Sequence, residues 1–358
     1  MARSTIQDVA RLAGVSEATV SRALRGLSNV APATRERVEA AAAELRFTLS
    51  KSASSLASGK THRILLLVSG GLNNWFNSSV LQGAFETLSP EGYDIVPSFV
   101  TNRAELSRLI ETLPSNRDVD AIIVTSFTLD AAFRAALASL DMPLVGINNP
   151  DIEGLDASVR IDDLEGMRQA VQLLHSLGHE RLAYIGNLIP PDLDYSTDLR
   201  GEGFHKTALE LGYDEGNLYI SPPEEANQFR PTPEIARRNV AALLAAPQRP
   251  TGVCVQTDEM AAHVLNELRR QHIHVPEQMS LIGFDDNPFA QIQDMTTIHQ
   301  DPVMLGREAS RLILDLLRDT AVDEPHVVVP TTPVLRGTTV VPTTPVLRST
   351  TGVPQDID

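Results

Sequence analysis

The 358-residue chain has one cysteine, one tryptophan and an aromatic content of only 4%. The single thiol, Cys254, cannot close an intrachain disulfide, and its place in the apolar run Gly252 to Val255 marks it as a small buried residue. The nine histidines show no HExxH or other metal-ligating spacing, and His179 is read as structural. No Gly-x-Ser-x-Gly elbow occurs, and the Gly70-Gly71 pair is followed by no GxGxxG or Walker pattern. Catalysis therefore has no positive support, and no cofactor or metal is expected. No apolar run approaches the ~20 residues that cross a bilayer. No signal-peptide pattern precedes the first motif, so a cytoplasmic protein without a membrane partner is expected.

Charge is unevenly spread. The net charge of −16 divides into +5 for residues 1–63, with ten Lys or Arg against five Asp or Glu, and −21 for the rest, with twenty against forty-one. A small basic head on a large acidic body suits a polyanion-binding module joined to a separate soluble domain.

The head carries the sharpest signal, TIQDVARLAGVSEATVSRAL at residues 5–24. Thr5 is placed to cap a helix over Ile6 to Ala13, with Val9, Ala10 and Leu12 as its apolar side. Gly14 suits the turn, and Ser16 caps a second helix from Glu17 to Leu24 with Val20, Ala23 and Leu24 inward. This is the pattern of a helix-turn-helix. Its second helix presents Glu17, Ala18, Thr19, Ser21 and Arg22, hydroxyls for phosphate oxygens and a guanidinium for guanine O6 and N7. A third helix is expected from Pro32 to Arg46.

With TRERV at 34–38 and SLASGKT at 55–61, this stretch resembles the N-terminus of the lactose/galactose repressor family of bacterial transcription regulators. The resemblance extends to about residue 339. It implies a homodimer on pseudo-palindromic operator DNA, contacted by Thr5, Ser16, Glu17, Ala18, Thr19, Ser21, Arg22 and Asn29. It also implies a hinge at 50–61 that becomes helical on DNA, with Leu56 wedged into the minor groove. The chain departs from the family pattern at Ala31, Leu49, Ser50 and Ser54.

From Arg63 short Val/Ile/Leu runs alternate with amphipathic helices, the pattern of doubly wound α/β architecture. Strands are expected at 64–68, 94–99, 121–125, 144–148, 159–162, 182–186, 253–256 and 280–284. The fold class is thus a small all-α head plus an α/β bilobed core. By resemblance, that core has two doubly wound parallel-sheet lobes of periplasmic-binding-protein type, with crossings near residues 160, 290 and 320. The expected division is a head at 1–49, the hinge at 50–61 and a core at 62–339. Lobe 1 then takes about 62–160 and 291–320, and lobe 2 about 161–290 and 321–339. Residues 328–339 and 340–351 are near-identical, and 340–358 are read as a duplicated, largely disordered tail, the alternative being that the second copy pairs with a sheet edge.

Ligands in open α/β sheets bind beyond the carboxyl ends of strands. Trp75 and Phe76 follow the first strand, where the family has Asn-Pro-Phe-Phe; Trp75 either stacks on a sugar ring or packs in the wall. Arg200 in RGEGF matches an effector-reaching arginine, whose fork of donors can bridge two sugar hydroxyls. Asp285 in LIGFDD matches an effector-binding acid. Ser196, Thr257, Asn148 and Phe229 are further matches; of the Thr257-Asp258 pair, Thr257 is the expected contact, and Asp258 is either a contact or the cap of the helix that follows. The expected effector is a small sugar releasing a repressor from carbohydrate-utilisation genes. The alternatives are a purine or other corepressor, a cytoplasmic solute-binding protein, or a sugar enzyme using Asp258 and Asp285.

Overall fold

Thr5 decides where the chain first becomes helical. In the computed structural model, which describes residues 4–24, 29–47, 60–116, 118–186, 193–222 and 232–339, the Asp8 amide donates to the Thr5 hydroxyl. The Thr5 amide donates back to the Asp8 carboxylate at 3.0 Å. This reciprocal cap satisfies two of the donors a helix start leaves unpaired. Helix α1, Ile6–Ala13, ends at Gly14, whose φ of 65° is in the left-handed region a glycine enters without a Cβ clash. Helix α2, Glu17–Leu24, begins with the Thr19 amide donating to Ser16 Oγ at 3.2 Å. Helix α3, Pro32–Glu44, has Ala31 at its cap and no side-chain cap bond.

The head closes on Val9, Ala10, Ala13, Val20, Ala23, Val30, Val38, Ala41 and Ala42. Leu12 does not join them; it is 48% exposed. At about 100° per residue it points about 110° away from the centre of the face shared by Ile6, Val9, Ala10 and Ala13. Ala13 takes the inward place instead.

Beyond Thr61 the chain builds two lobes. The first contains β1 (Arg63–Ser69), α4 (Trp75–Leu88), β2 (Asp94–Val100), α5 (Arg103–Asn116), β3 (Ala121–Thr125), α6 (Ala131–Ala138), β4 (Leu144–Ile147) and β5 (Ala157–Ile161). The second contains α7 (Asp163–Ser176), β6 (Leu182–Ile185), α8 (Asp198–Glu210), β7 (Leu218–Ile220), α9 (Pro233–Ala245), β8 (Gly252–Val255), α10 (Asp258–Arg270), β9 (Ser280–Asp285), α11 (Pro288–Ile292) and β10 (Thr296–His299). Helix α12 (Pro302–Leu317) and β11 (His326–Val329) return to the first lobe, and β12 (Thr332–Val334) to the second. The sheets run β11-β5-β4-β3-β1-β2 and β12-β10-β9-β8-β6-β7. Every pair is parallel except β10 with β12.

Strand β1 shows why the sheets sit in the middle of each lobe. Ile64, Leu66 and Val68 face one core cluster and Leu65 and Leu67 another, all nearly inaccessible. Each such side chain contributes roughly 1.5–3 kcal/mol on burial, so a strand covered on both faces needs an unbroken apolar run rather than an alternating one.

The chain crosses between lobes at 161–163, 299–302 and 329–332. The first crossing agrees with the expected position; the others lie about ten residues later than 290 and 320. The cause is β10. Its sequence, Thr-Thr-Ile-His, has one aliphatic residue, and its threonines enter the interior by hydrogen bonding rather than by apolarity. Thr297 Oγ1 donates to Asp258 at 2.7 Å and Thr296 Oγ1 to the Arg336 carbonyl at 3.0 Å. Lobe 1 thus consists of 62–161 and 301–329, and lobe 2 of 162–300 and 330–339.

Helices α4 and α12 approach main chain to main chain where Gly83 and Gly306 face each other. A Cβ at Gly83 would lie 1.9 Å from the Val303 carbonyl oxygen, and one at Gly306 2.3 Å from that of Val80. Only glycine permits this approach from both sides.

Candidate functional site

The strand ends of the two sheets face one another across a cleft of about 140 Å³. Trp75, Phe76, Asn148, Ser196, Arg200, Thr257 and Asp285 all line it. Trp75 and Phe76 open α4, where Asn74 caps by accepting from the Phe76 amide at 2.8 Å. Thr257 is the cap of α10, accepting from the Met260 amide at 3.3 Å. Asp258 turns away from the cleft: one oxygen accepts from Thr297 Oγ1 and the other from the Asn287 amide, and the residue is 0% exposed. An acid–base pair of Asp258 with Asp285 therefore lacks one open member. Phe229, Leu56 with residues 50–59 of the hinge, and the tail at 340–358 lie outside the described residues.

Arg200 is the electrostatic centre. Its Nε donates to Asp163 at 2.7 Å, and its Nη1 to the Gln256 carbonyl at 2.6 Å and to Asp285 at 3.2 Å. The guanidinium carbon stands 3.7 Å from the centre of the Phe284 ring. Burial works against its charge, but Asp163 and Asp285 outweigh it and hold the guanidinium above its ordinary value. Burial lifts the Asp285 carboxyl to about 6 despite the pull of Arg200. Burial, with Asp285 adding like charge, raises Asp258 well above the carboxylate range.

Hydrogen bonds tie the lobes across this centre. Gln300 donates to Asp285 at 2.7 Å and accepts from Asn148 at 3.2 Å, and Asn148 Oδ1 accepts from the Ile161 amide at 2.8 Å. A second tie comes from the segment before α8. The Thr128 amide donates to the Asp194 carbonyl at 2.9 Å and the Ser196 amide to the Ser126 carbonyl at 3.0 Å. Tyr195 Oη and Ser69 Oγ are 2.8 Å apart. Ser126, Asn148 and Asp285 have φ of 67°, 51° and 120°, a backbone strain that non-glycine residues tolerate mainly where the surroundings enforce it.

Gln300 and Tyr195 were not anticipated. Asn77 stands where the family has Phe; its amide donates to the Ser69 carbonyl at 2.8 Å and the Gly71 carbonyl at 3.2 Å, pinning the loop after β1. His179 is structural, its Nδ1 2.9 Å from Thr251 Oγ1, and burial lowers its pKa.

In the head, Ser16, Glu17, Ala18, Arg22 and Asn29 are exposed, and Thr19 and Ser21 are half-buried. The outward side of α2 is thus polar and open, beside a turn fixed by Gly14. The family model for bacterial regulatory proteins of the lacI family matches residues 5–50, and a periplasmic binding protein-like domain matches residues 171–339. The chain is 31% identical over 332 residues to the HTH-type transcriptional regulator GntR of Pseudomonas aeruginosa, covering 90% of this chain and 93% of that one. The chain belongs to the LacI family.

Other relatives of this LacI-family protein agree. The HTH-type transcriptional repressor CytR of Escherichia coli is 29% identical over 340 residues, covering 94% of this chain and 96% of its own. A solved lac repressor dimer, bound to operator and the anti-inducer ONPF, superimposes with a TM-score of 0.80 at 25% identity, covering 95% of this chain and all of that one. A CelR–cellobiose complex gives a TM-score of 0.66 at 28% identity, covering 94% and 100%. The protein is a ligand-responsive DNA-binding transcription regulator and not an enzyme. Among the described residues, no helix is long and apolar enough to cross a membrane.

Proposed function

We propose that this regulator is a homodimeric repressor whose operator is released when a small, uncharged sugar enters the cleft. The observation that carries the ligand class is the state of Arg200. It is the only cation among the described cleft-lining residues, and it is already matched by Asp163 and Asp285, while Glu259 adds a further carboxylate to the lining. A sugar phosphate or sugar acid would meet net negative charge. Hydroxyls would find acceptors on Asp285 and amides on Asn148 and Gln300, with Trp75 and Phe76 offering a ring face. The CelR relative in complex with cellobiose supports the sugar class.

On DNA, Glu17 and Ala18 set base preference, Arg22 reads a guanine, and Thr5, Ser16, Thr19, Ser21 and Asn29 hold phosphates or neighbouring bases. The hinge at 50–61 orders on the operator with Leu56 as wedge, most readily at a flexible pyrimidine–purine step. The head at 1–49 and the core at 62–339 act as separate units. The effector works through its unequal affinity for two lobe arrangements, with Asp285–Gln300–Asn148 as the link it biases.

A thermal-shift screen against neutral sugars, sugar phosphates and purines tests the cleft. A ligand at 100 times its Kd stabilises by about 2.7 kcal/mol. A neutral-sugar response lost in Arg200→Ala, and operator release by the same sugar, is expected; a response to purines alone would replace the sugar assignment. Arg22→Ala should cost about 1–3 kcal/mol of operator binding at one base pair per half-site. Equal weakening on all operator variants would reduce Arg22 to a phosphate contact.

A further inference from the structure

Asp258 is fully buried beside the cleft but faces away from it, and three neighbours accommodate it. Thr297 Oγ1 donates to one carboxylate oxygen at 2.7 Å, and the Asn287 amide to the other at 3.0 Å. On β9 a Cβ at Gly283 would lie 2.1 Å from Oδ1, so glycine leaves the carboxyl its place. A buried carboxyl contributes little to stability by itself. What this one does is tie the first residue of α10 to the cap of α11.

The tie brings Glu259 and Asn287 to the lining of the same cleft. Asn287 is 3% exposed. Its Oδ1 accepts from the Phe289 amide at 2.9 Å, but its Nδ2 has no partner among the described residues. Buried donors are nearly always satisfied, so an open one at a cleft calls for an acceptor from outside the chain. The half-buried Glu259 carboxylate likewise has no hydrogen bond or ion pair among the described residues. One open donor and one open acceptor thus stand at neighbouring helix starts, apart from the Arg200 centre.

We infer that Glu259 and Asn287 together read one sugar hydroxyl, Glu259 accepting from it and Asn287 Nδ2 donating to it. This rests on the reading of the effector as an uncharged sugar. A hydroxyl both donates and accepts. A hydrogen in its place satisfies neither residue, and a carboxylate or phosphate meets Glu259 with like charge and no proton to give. The pair therefore selects for a hydroxyl at one position of the ring, and Asp258 is its positioning residue.

The test follows Trp75 fluorescence in the full-length protein titrated with neutral pentoses, hexoses and their disaccharides, D-glucose, D-galactose, D-ribose, D-xylose and cellobiose among them. The single-deoxy derivatives of the tightest binder follow. In the natural protein one derivative should bind at least about tenfold more weakly than its parent. Glu259→Ala and Asn287→Ser, the second keeping a cap for α11, should each weaken the parent about tenfold. Each should also shrink the difference between the parent and that same derivative to about threefold or less, because the lost partner and the lost hydroxyl belong to one contact. An unchanged Kd for the parent in either variant overturns the proposal, as does a difference that shrinks at separate hydroxyls in the two variants. Thr297→Val removes a partner of Asp258 without altering the lining, and should narrow the same difference; a lowered Tm with the difference intact would make Asp258 structural only. Failure of every neutral sugar to bind the natural protein would remove the sugar reading and the pair with it. Binding with unaltered discrimination in the variants would remove the pair alone.

Discussion

The buried side chains of the head are alanines and valines, whereas the largest fully buried side chain of the clamp is Arg200. The head relies on caps: Thr5 with Asp8, Ser16 with Thr19, and a glycine turn. A core so thin cannot override a wrong local signal, so each helix boundary is written into its own residues. The clamp has apolar area to spare and invests some of it in a buried charge cluster that stabilises little by itself. Local chemistry specifies the head, and long-range packing tolerates a site in the clamp.

Substitutions can break this contrast from either side. The largest effect is expected for Arg200→Met, which strands Asp163 beside Asp285 with no cation and should cost the clamp about 3–5 kcal/mol. Denaturant unfolding followed by Trp75 fluorescence isolates it, because the only tryptophan lies in the cleft. A head reporter, such as amide exchange in α2, should not move. Gly83→Ala drives a Cβ into the Val303 carbonyl and should cost about 3 kcal/mol, the upper end of overpacking. A loss below about 1 kcal/mol would show that α4 and α12 can separate.

Asp285→Asn sharpens the comparison through pH. The carboxyl is raised from 3.8 to about 6, so its protonated form is favoured by folding, and that contribution is lost as pH rises through 6. Asp285→Asn should therefore melt above the natural protein at pH 8, and the difference should vanish below pH 4, while sugar binding weakens. A difference independent of pH would contradict the buried-acid assignment. The smallest effect is Thr5→Ala, about 1 kcal/mol confined to the head. It should speed amide exchange in α1 and leave Trp75 fluorescence unchanged.

The same contrast governs what could be read from the chain. Both helices of the helix-turn-helix fall on their expected residues, because caps and glycine are local signals. Leu12 was misplaced because a three-residue step from Val9 seemed to keep it on one face, and only the docking of α2 and α3 defines where that face is centred. In the clamp, apolar runs revealed seven strands of lobe 1 and lobe 2 within one residue of their ends, and an eighth, β5, within two. Arg200 stood out through the match of RGEGF to the family, and Asp285 because it ends a strand that was visible. Gln300 stayed hidden because β10 has a single aliphatic residue, so no strand pointed to the residue after it. Tyr195 enters the cleft through a tertiary bridge to Phe127, which no local pattern encodes.

The glycine contact between α4 and α12 has a mechanical meaning. Helix α12 begins just after Gln300, and α4 begins with Trp75 and Phe76. A joint built from side chains has play, because rotamers can change. A joint of main chain against main chain has almost none. The contact therefore ties the start of α12, next to Gln300, to the helix that opens with the two aromatic residues of the cleft.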